Sequence, residues 1–419
     1  MKYKTYWLAG LLCPMLVGNA NAVPATISAS QFHTVFIDNG DVFGMGSNEN
    51  GEIAIATTSE HRTPYFTGFQ NAKSVHTNYH RTAIINADGS AVIFGKNWAT
   101  GYYANRALAS SGVTDIALTY KDTFYISGGN LYRHSDTDSG PVLIVSGVKQ
   151  IAGGRDHLVI LFNDGTVGTS GQNNRGQLGD GSTTSSATIK KLSISSVVEV
   201  AAGENTSFAR TASGQVFAWG ANTRSELGLG TTTDQLQPAT IAVTAKKILP
   251  GLTHTVLIRD DNTVWAAGWH DWISADWTIY NTNKTFIQMP IGTVKDAAVG
   301  GDQTIVSMGQ AGQLQGWGGN VYGKLGDGTN VERHTLTTTF FTPIAPPSTT
   351  TPSNSVCEKA KTMPISSISL NVALTCKIPI YTSMNQCIKA NKRVPGIGEL
   401  CKSIIIPADR GQQEKTTNK

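Results

Sequence analysis

Charge is scarce in this chain of 419 residues, of which only 15% are Asp, Glu, Lys or Arg. That argues against a disordered chain or a coiled coil, both of which need dense charge. Cysteine is missing from residues 14–356. The apolar run Trp7–Val17 falls far below the roughly 18–20 residues that cross a bilayer. No G-x-S-x-G elbow, P-loop or H-E-x-x-H occurs, so the familiar hydrolase, phosphate-cradle and zinc-protease signatures are lacking. No C-x-x-C pair suggests a zinc ribbon. No basic run with interleaved aromatics offers a nucleic-acid platform.

What the chain has is glycine, 44 residues of it. The densest stretch is Asn163–Gly181, NDGTVGTSGQNNRGQLGDG, where an Asp-Gly turn leads into a short strand and a glycine loop. It returns as GQVFAWGANTRSELGLG (Gly214–Gly230) and GQLQGWGGNVYGKLGDG (Gly312–Gly328). The residues opening each unit are His33, His80, Thr123, His157, Thr206, His254 and Gln303, at intervals of 47, 43, 34, 49, 48 and 49. Such a period signals a repeat architecture. In the fourth unit Leu158–Phe162 is a continuous apolar run, as in a strand buried on both faces. Thr166–Ser170, Ile189–Leu192 and Val197–Ala202 complete four strands, the content of one propeller blade. Small residues before the anchors (Gly153-Gly154, Ala202-Gly203, Gly300-Gly301) are expected where strands crowd the axis. Trp219 and Trp317, with Trp265 at the matching place and Phe43 and Phe94 at or near it, are expected to fill space between blades.

The segments Gly171–Gly181, Trp219–Asn222 and Gly323–Gly328, with His33, His80, His157 and His254 at the G-x-x-H-x position, resemble the regulator of chromosome condensation repeat family. The resemblance covers about residues 24–344 and implies an all-β, seven-bladed β-propeller, here as an exported bacterial member. It also implies that the histidines pack and hydrogen-bond, one per blade. Nuclear members of that family bind chromatin and a small GTPase, and its nucleotide exchange uses a wedge in the third blade. Here the third unit is the shortest, which puts exchange in doubt. In the family a terminal strand completes the first or last blade, so Ala25–Ala29 is expected beside Thr335–Phe341.

Flanking segments complete the expected organisation. Lys2, Lys4, the Trp7–Val17 run and Ala20-Asn21-Ala22 form a signal peptide over residues 1–22, which places the mature chain in the periplasm or outside the cell. The propeller is assigned to 23–344, a Pro/Ser/Thr linker to 345–355, a small module to 356–407 and a disordered tail to 408–419. Cys357, Cys376, Cys387 and Cys401 make an even set in that module and imply two disulfides of open connectivity. From Ala345 onward ten basic residues face four acidic ones, leaving the middle of the chain mildly acidic.

Candidate chemistry is thin. Asp164, Asp180, Asp260, Asp261 and Asp327 suit Asx-type turns. Asp115, Asp156 and Asp302 are the carboxylates that could meet at a channel mouth. No catalytic residue, metal or cofactor is assigned. The informative positions are where the repeat breaks: KNWATGYY, with Trp98, Tyr102 and Tyr103, and GWHDWISADWTIY, with Trp269, Trp272, Trp277 and Tyr280. These aromatics either patch holes left by lost consensus residues or form a binding surface, because Trp and Tyr concentrate at interface hot spots. The expected function is a monomeric, non-catalytic propeller that binds a protein partner through one loop face. The expected partners include neither nucleic acid nor, after leader cleavage, membrane. The alternatives are an exported enzyme or carbohydrate-binding protein using the central channel, or exchange activity on a small GTPase.

Overall fold

The computed structural model describes residues 27–55, 59–101, 103–138, 140–269, 283–308 and 313–339. Residues 1–26 and the unit spanning 344–419, with its four cysteines, lie outside the described residues. The rest forms seven four-stranded sheets, each an antiparallel meander. The blades occupy 27–66, 72–109, 113–146, 148–191, 197–240, 247–288 and 294–338. Even the shortened third unit keeps four strands, with Asp122–Ser127 and Asn130–Ser135 joined by a tight Gly128-Gly129 turn.

The sequence repeat and the blade are out of phase by one strand. Val197–Ala202, grouped by sequence with the fourth unit, is the innermost strand of the fifth blade, paired with Thr206–Thr211. The fourth blade takes Val148–Gly153 instead, paired with His157–Phe162. The cause is local. A link of a few residues folds each inner strand onto the strand that follows it, and short links between strands favour antiparallel neighbours.

Closure of the ring also differs from expectation. Ile27–Ala29 pairs with Thr34–Phe36 as the inner strand of the first blade. Arg333–Thr338 pairs with Gln315–Gly318 as the outer strand of the seventh. Of the expected pairing of Ala25–Ala29 with Thr335–Phe341, the described parts, Ile27–Ala29 and Thr335–Thr339, therefore share no sheet. Side chains close the seam: Gln303 Nε2 donates to Ser30 O at 2.7 Å, Thr34 Oγ1 to Lys324 O at 2.9 Å, and Lys324 Nζ to Gln31 O at 2.9 Å while pairing with Asp302.

The core lies between blades. Each second strand is sandwiched, and all six residues of His157–Phe162 are buried. Val159, Leu161 and Val167 of the fourth blade meet Val197, Val200 and Trp219 of the fifth in one apolar cluster. Each such side chain contributes about 1.5–3 kcal/mol through burial.

The glycine loop is scaffold. A buried asparagine organises each copy: Asn173, Asn222 and Asn320 accept from the backbone N–H of Leu178, Leu227 and Leu325 at 2.8, 3.1 and 2.9 Å. A Cβ on Gly179 (φ +69) would lie 2.8 Å from the Trp219 ring, so the loop must be bare for the neighbouring blade's tryptophan to slide beneath it. Trp219 and Trp317 are buried as expected. Trp265 is two residues out of register: Trp219 faces Ser207, and the position facing the corresponding Thr255 is Ala267. Phe286 fills the space that Ala267 leaves under Gly228. Phe94 holds the tryptophan position, facing Thr82, while in the first blade that position is Met45, two residues past Phe43.

Candidate binding face

Antiparallel meanders put every inner-strand exit and every third-strand exit at the same end of the disc. That end carries the short loops around the channel mouth and, outside them, the loops after Gly95 and Gly268 that hold Trp98 and Trp269. Trp98 and Trp269 thus share one face.

Trp98 begins an arc of side chains running from the second blade to the fifth. Its indole lies 4.4 Å from the Tyr120 ring, centroid to centroid, and its Nε1 donates to Tyr120 O at 2.6 Å. Its backbone N–H donates to Asp136 Oδ2 at 2.6 Å, and Lys96 Nζ stands 5.7 Å from the ring. Tyr120 meets Tyr79 edge-on at 5.0 Å and carries the Arg155 guanidinium at 5.6 Å. Across the mouth, Glu204 Oε1 accepts from Tyr79 OH at 3.2 Å and from Arg155 Nη1 at 3.0 Å. Burial, reinforced by the Glu204 carboxylate, holds the Tyr79 phenol well above its usual pKa. Tyr79 also sits at φ +47, a left-handed conformation that disfavours side chains. Its carbonyl, in return, receives Ser30 Oγ at 2.9 Å.

Trp98 is therefore both patch and surface. It ties the second blade to the third, yet remains 36% exposed. Trp269, 40% exposed, lies under the Arg224 guanidinium of the preceding blade at 5.6 Å. Both described tryptophans of the predicted set carry a cation over the ring, a contact of about 0.5–1 kcal/mol at exposed sites. Tyr102, Trp272, Trp277 and Tyr280 lie outside the described residues, and for Tyr103 only the backbone is described, paired with Gly95. Tyr79, Tyr120, Arg155 and Glu204 were not anticipated from the sequence. The available signal was their position, one residue after the small residue that ends each inner strand, where the sixth and seventh blades have Leu252 and Gly301.

Those small residues are under real constraint. A Cβ on Gly203 would lie 2.5 Å from Gly251 O in the next blade. The same position is Ser30, Asn78 and Thr119 in the first three blades.

The histidine series needs one correction. His33, His157 and His254 are buried, and their Nε2 atoms lie 2.7, 2.9 and 2.9 Å from the hydroxyls of Thr82, Ser207 and Thr304 in the next blade. Burial lowers each imidazole to a pKa of about 4. His80 does not belong with them. Register puts Arg81 opposite Gly95 as His33 is opposite Gly46. The buried Arg81 guanidinium donates to Thr119 O, to Lys121 O at 3.1 Å and to Asp122 O at 3.0 Å. His80 stacks on Phe32 at 4.0 Å and meets Glu52 Oε1 at 2.8 Å. In the third blade the corresponding residue is Asp122, one before Thr123, since Thr119 N donates to Asp122 O as Gly154 N does to His157 O.

The channel holds a cavity of about 380 Å³ lined by inner strands of all seven blades. Polar side chains in it and beside it brace neighbours. Asp115 Oδ2 accepts from Ile151 N at 2.9 Å, Gln150 Oε1 from Val200 N at 3.0 Å and Glu199 Oε1 from Ile248 N at 3.3 Å, while Lys247 pairs with Asp296. Burial raises Asp115 to about 7. Asp156 faces Arg155 and Asp302 faces Lys324, so each of the three carboxylates is engaged with its own partners. Asp164, Asp180, Asp261 and Asp327 accept from the backbone N–H two residues on, as turn formers do. Among the described residues, no group of three or more His, Cys, Asp or Glu could hold a metal ion, and no helix is long and apolar enough to cross a membrane.

The fold and face define a seven-bladed propeller with an aromatic and cationic rim at one end. Models of the regulator of chromosome condensation (RCC1) repeat match residues 148–177 with 197–226, and 164–210 with 213–258. The matches cover the fourth and fifth blades and the opening of the sixth, so that part of the seven-bladed propeller carries RCC1-type repeats. No curated protein matches the sequence. Among solved structures, Prp20p from Saccharomyces cerevisiae is 16% identical, over 76% of this chain and 77% of that one, with a TM-score of 0.51. The yeast protein bound to Kap60 gives 16% identity, 76% and 75% coverage and the same score. Human WBSCR16 gives 18%, 75%, 82% and 0.49. At these identities the likeness concerns the fold.

Proposed function

We propose that this propeller is a non-catalytic binding protein that presents the rim of Trp98, Tyr120, Tyr79 and Arg155, with Trp269 beyond it, to a protein partner. The observation that carries the proposal is the arc itself. The exposed Trp98 and Arg155 and the half-buried Tyr79 and Tyr120 are locked in place by blade-to-blade bonds, and held Trp, Tyr and Arg side chains make strong anchors because little entropy is lost when they are covered. The bracing of the channel carboxylates favours this reading over channel chemistry. Prp20p, a propeller of this shape, binds Gsp1p and histones, which gives a precedent for partner binding by the scaffold. Export through the leader and two disulfides among Cys357, Cys376, Cys387 and Cys401 belong to the same proposal.

The test is affinity capture with the full chain, wild type against a Trp98→Ala, Trp269→Ala double variant. The expected outcome is loss of about tenfold or more in captured partner, with the melting temperature lowered by only a few degrees. A drop of about ten degrees or more with unchanged capture per folded molecule would return both tryptophans to the scaffold.

A further inference from the structure

Outer strands are sheet edges, and proteins guard such edges with proline or charge because unpaired N–H and C=O groups recruit other strands. Six blades follow the rule. His61–Phe66 and Gln235–Thr240 contain Pro64 and Pro238, while Tyr103–Ala109, Ser186–Lys191, Asn283–Gln288 and Arg333–Thr338 carry Arg106, Lys190 and Lys191, Lys284 and Arg333. The third blade does not. Its outer strand, Val142–Ser146, reads VLIVS, and Val142, Leu143 and Ile144 are 44%, 55% and 40% exposed. Beside it lies a groove of about 450 Å³ lined by Val145, Phe162, Ile189 and Lys191.

We infer that this edge docks an extended, acidic-flanked apolar strand of a partner protein, a surface separate from the aromatic rim. Backbone pairing would supply affinity, and alternate side chains would enter the groove. The charges select the occupant. Lys191 Nζ sits 4.9 Å from the Phe162 ring centre, Lys190 and Lys149 are exposed next to the lining segments, and none of the three is in an ion pair among the described residues. The one lining carboxylate, Asp164, accepts from Thr166 N and Oγ1 at 2.9 and 2.6 Å and offsets Lys191 in part, so against three lysines the groove keeps a net positive charge. An incoming acidic strand is therefore attracted, whereas a second copy of this edge would set lysine against lysine. A register shift between Leu131 and Tyr132 leaves Ile144 without a partner residue, and this bulge limits pairing to a short strand.

The test uses the full chain and two capped heptapeptides of alternating valine and threonine, one with Asp and Glu at its ends and one with Lys. The acidic peptide should slow hydrogen exchange of the Val142–Ser146 amides about tenfold, and the Lys-ended peptide should bind about tenfold more weakly. Lys191→Glu should reverse that preference. Leu143→Glu, or the milder Ile144→Thr should the first misfold, should abolish binding of the acidic peptide while partner capture through Trp98 and Trp269 persists. Three results would overturn the assignment: neither peptide protects these amides, Lys191→Glu leaves the preference unchanged, or the chain sediments as a dimer that Leu143→Lys dissolves.

Discussion

The seam between the fourth and fifth blades and the seam between the second and third solve one problem with different chemistry. In the first, His157 reaches Ser207, whose hydroxyl donates to Gln177 O at 2.8 Å, and Trp219 Nε1 donates to the same carbonyl at 3.0 Å. Glycine stands at the mouth and a bare loop covers the tryptophan. In the second, Arg81 replaces the histidine and collects carbonyls of the third blade, and Trp98 reaches over to Tyr120 from outside. The requirement common to both is a donor from one blade to an acceptor on the next. The choice of donor is free. Only the second solution leaves a large aromatic at the surface, so relaxation of the repeat and a potential binding surface arise together.

The broadest way to break the comparison is acid. His33, His157 and His254 have folded-state values of about 4 against an ordinary 6.5. The unfolded chain therefore binds protons first as pH falls. Their stabilisation is present above about 6.5 and is lost as pH drops through about 4. Each contributes on the order of 3 kcal/mol and the three together roughly 10 kcal/mol, comparable to a domain's net stability. Asp115, raised to about 7, acts the other way. Its contribution is present at low pH and lost as pH rises through about 7, so it offsets part of the acid loss. Thermal melts between pH 7 and 4 should show a steep decline, to which His76, also lowered to about 4 by burial, adds, and which His157→Gln should reduce by about a quarter. An unchanged slope would mean that the histidine seams do not govern acid stability.

Arg81→Met sharpens the contrast between seams. It removes the charged donor from Thr119 O, Lys121 O and Asp122 O, of which Asp122 O keeps Thr119 N, and should lower stability by about 3–5 kcal/mol in urea titration. His157→Ala should lower it by about 1–3 kcal/mol. Equal losses would mean that the two donors carry the same weight. A smaller effect, about 1–3 kcal/mol, is expected for Gly203→Ala, whose new methyl meets Gly251 O. The melting temperature reads it directly, and a neutral outcome would show that the mouth can widen.

Much of the fold was legible because period and packing agree. The anchors, the Asx turns and the buried tryptophans all report the same geometry, and the count of seven follows. Register was harder. His80 for Arg81 and Trp265 for Ala267 are displacements of one and two residues, and a one-dimensional alignment matches the familiar letter where pairing selects its neighbour. The strand offset was invisible because a periodic sequence has no marked beginning. At the candidate face, Trp98 and Trp269 stood out as departures from the repeat. Tyr79, Tyr120, Arg155 and Glu204 did not, since each is ordinary alone and gains meaning only when the ring brings four blades together.

The inner strand Ile27–Ala29 is only three residues long, yet it stands between Ala72–Asn78 and Val294–Val299 in the ring of inner strands. It works as a keystone. Every other inner strand arrives on the chain that leaves the preceding blade, whereas this one is delivered from the N-terminal side. Trimming past Ala29 would thus remove a single short span and turn a closed arch into an open one, with two inner-strand flanks exposed. The circular architecture of some three hundred residues thus hangs on three of them, Ile27–Ala29.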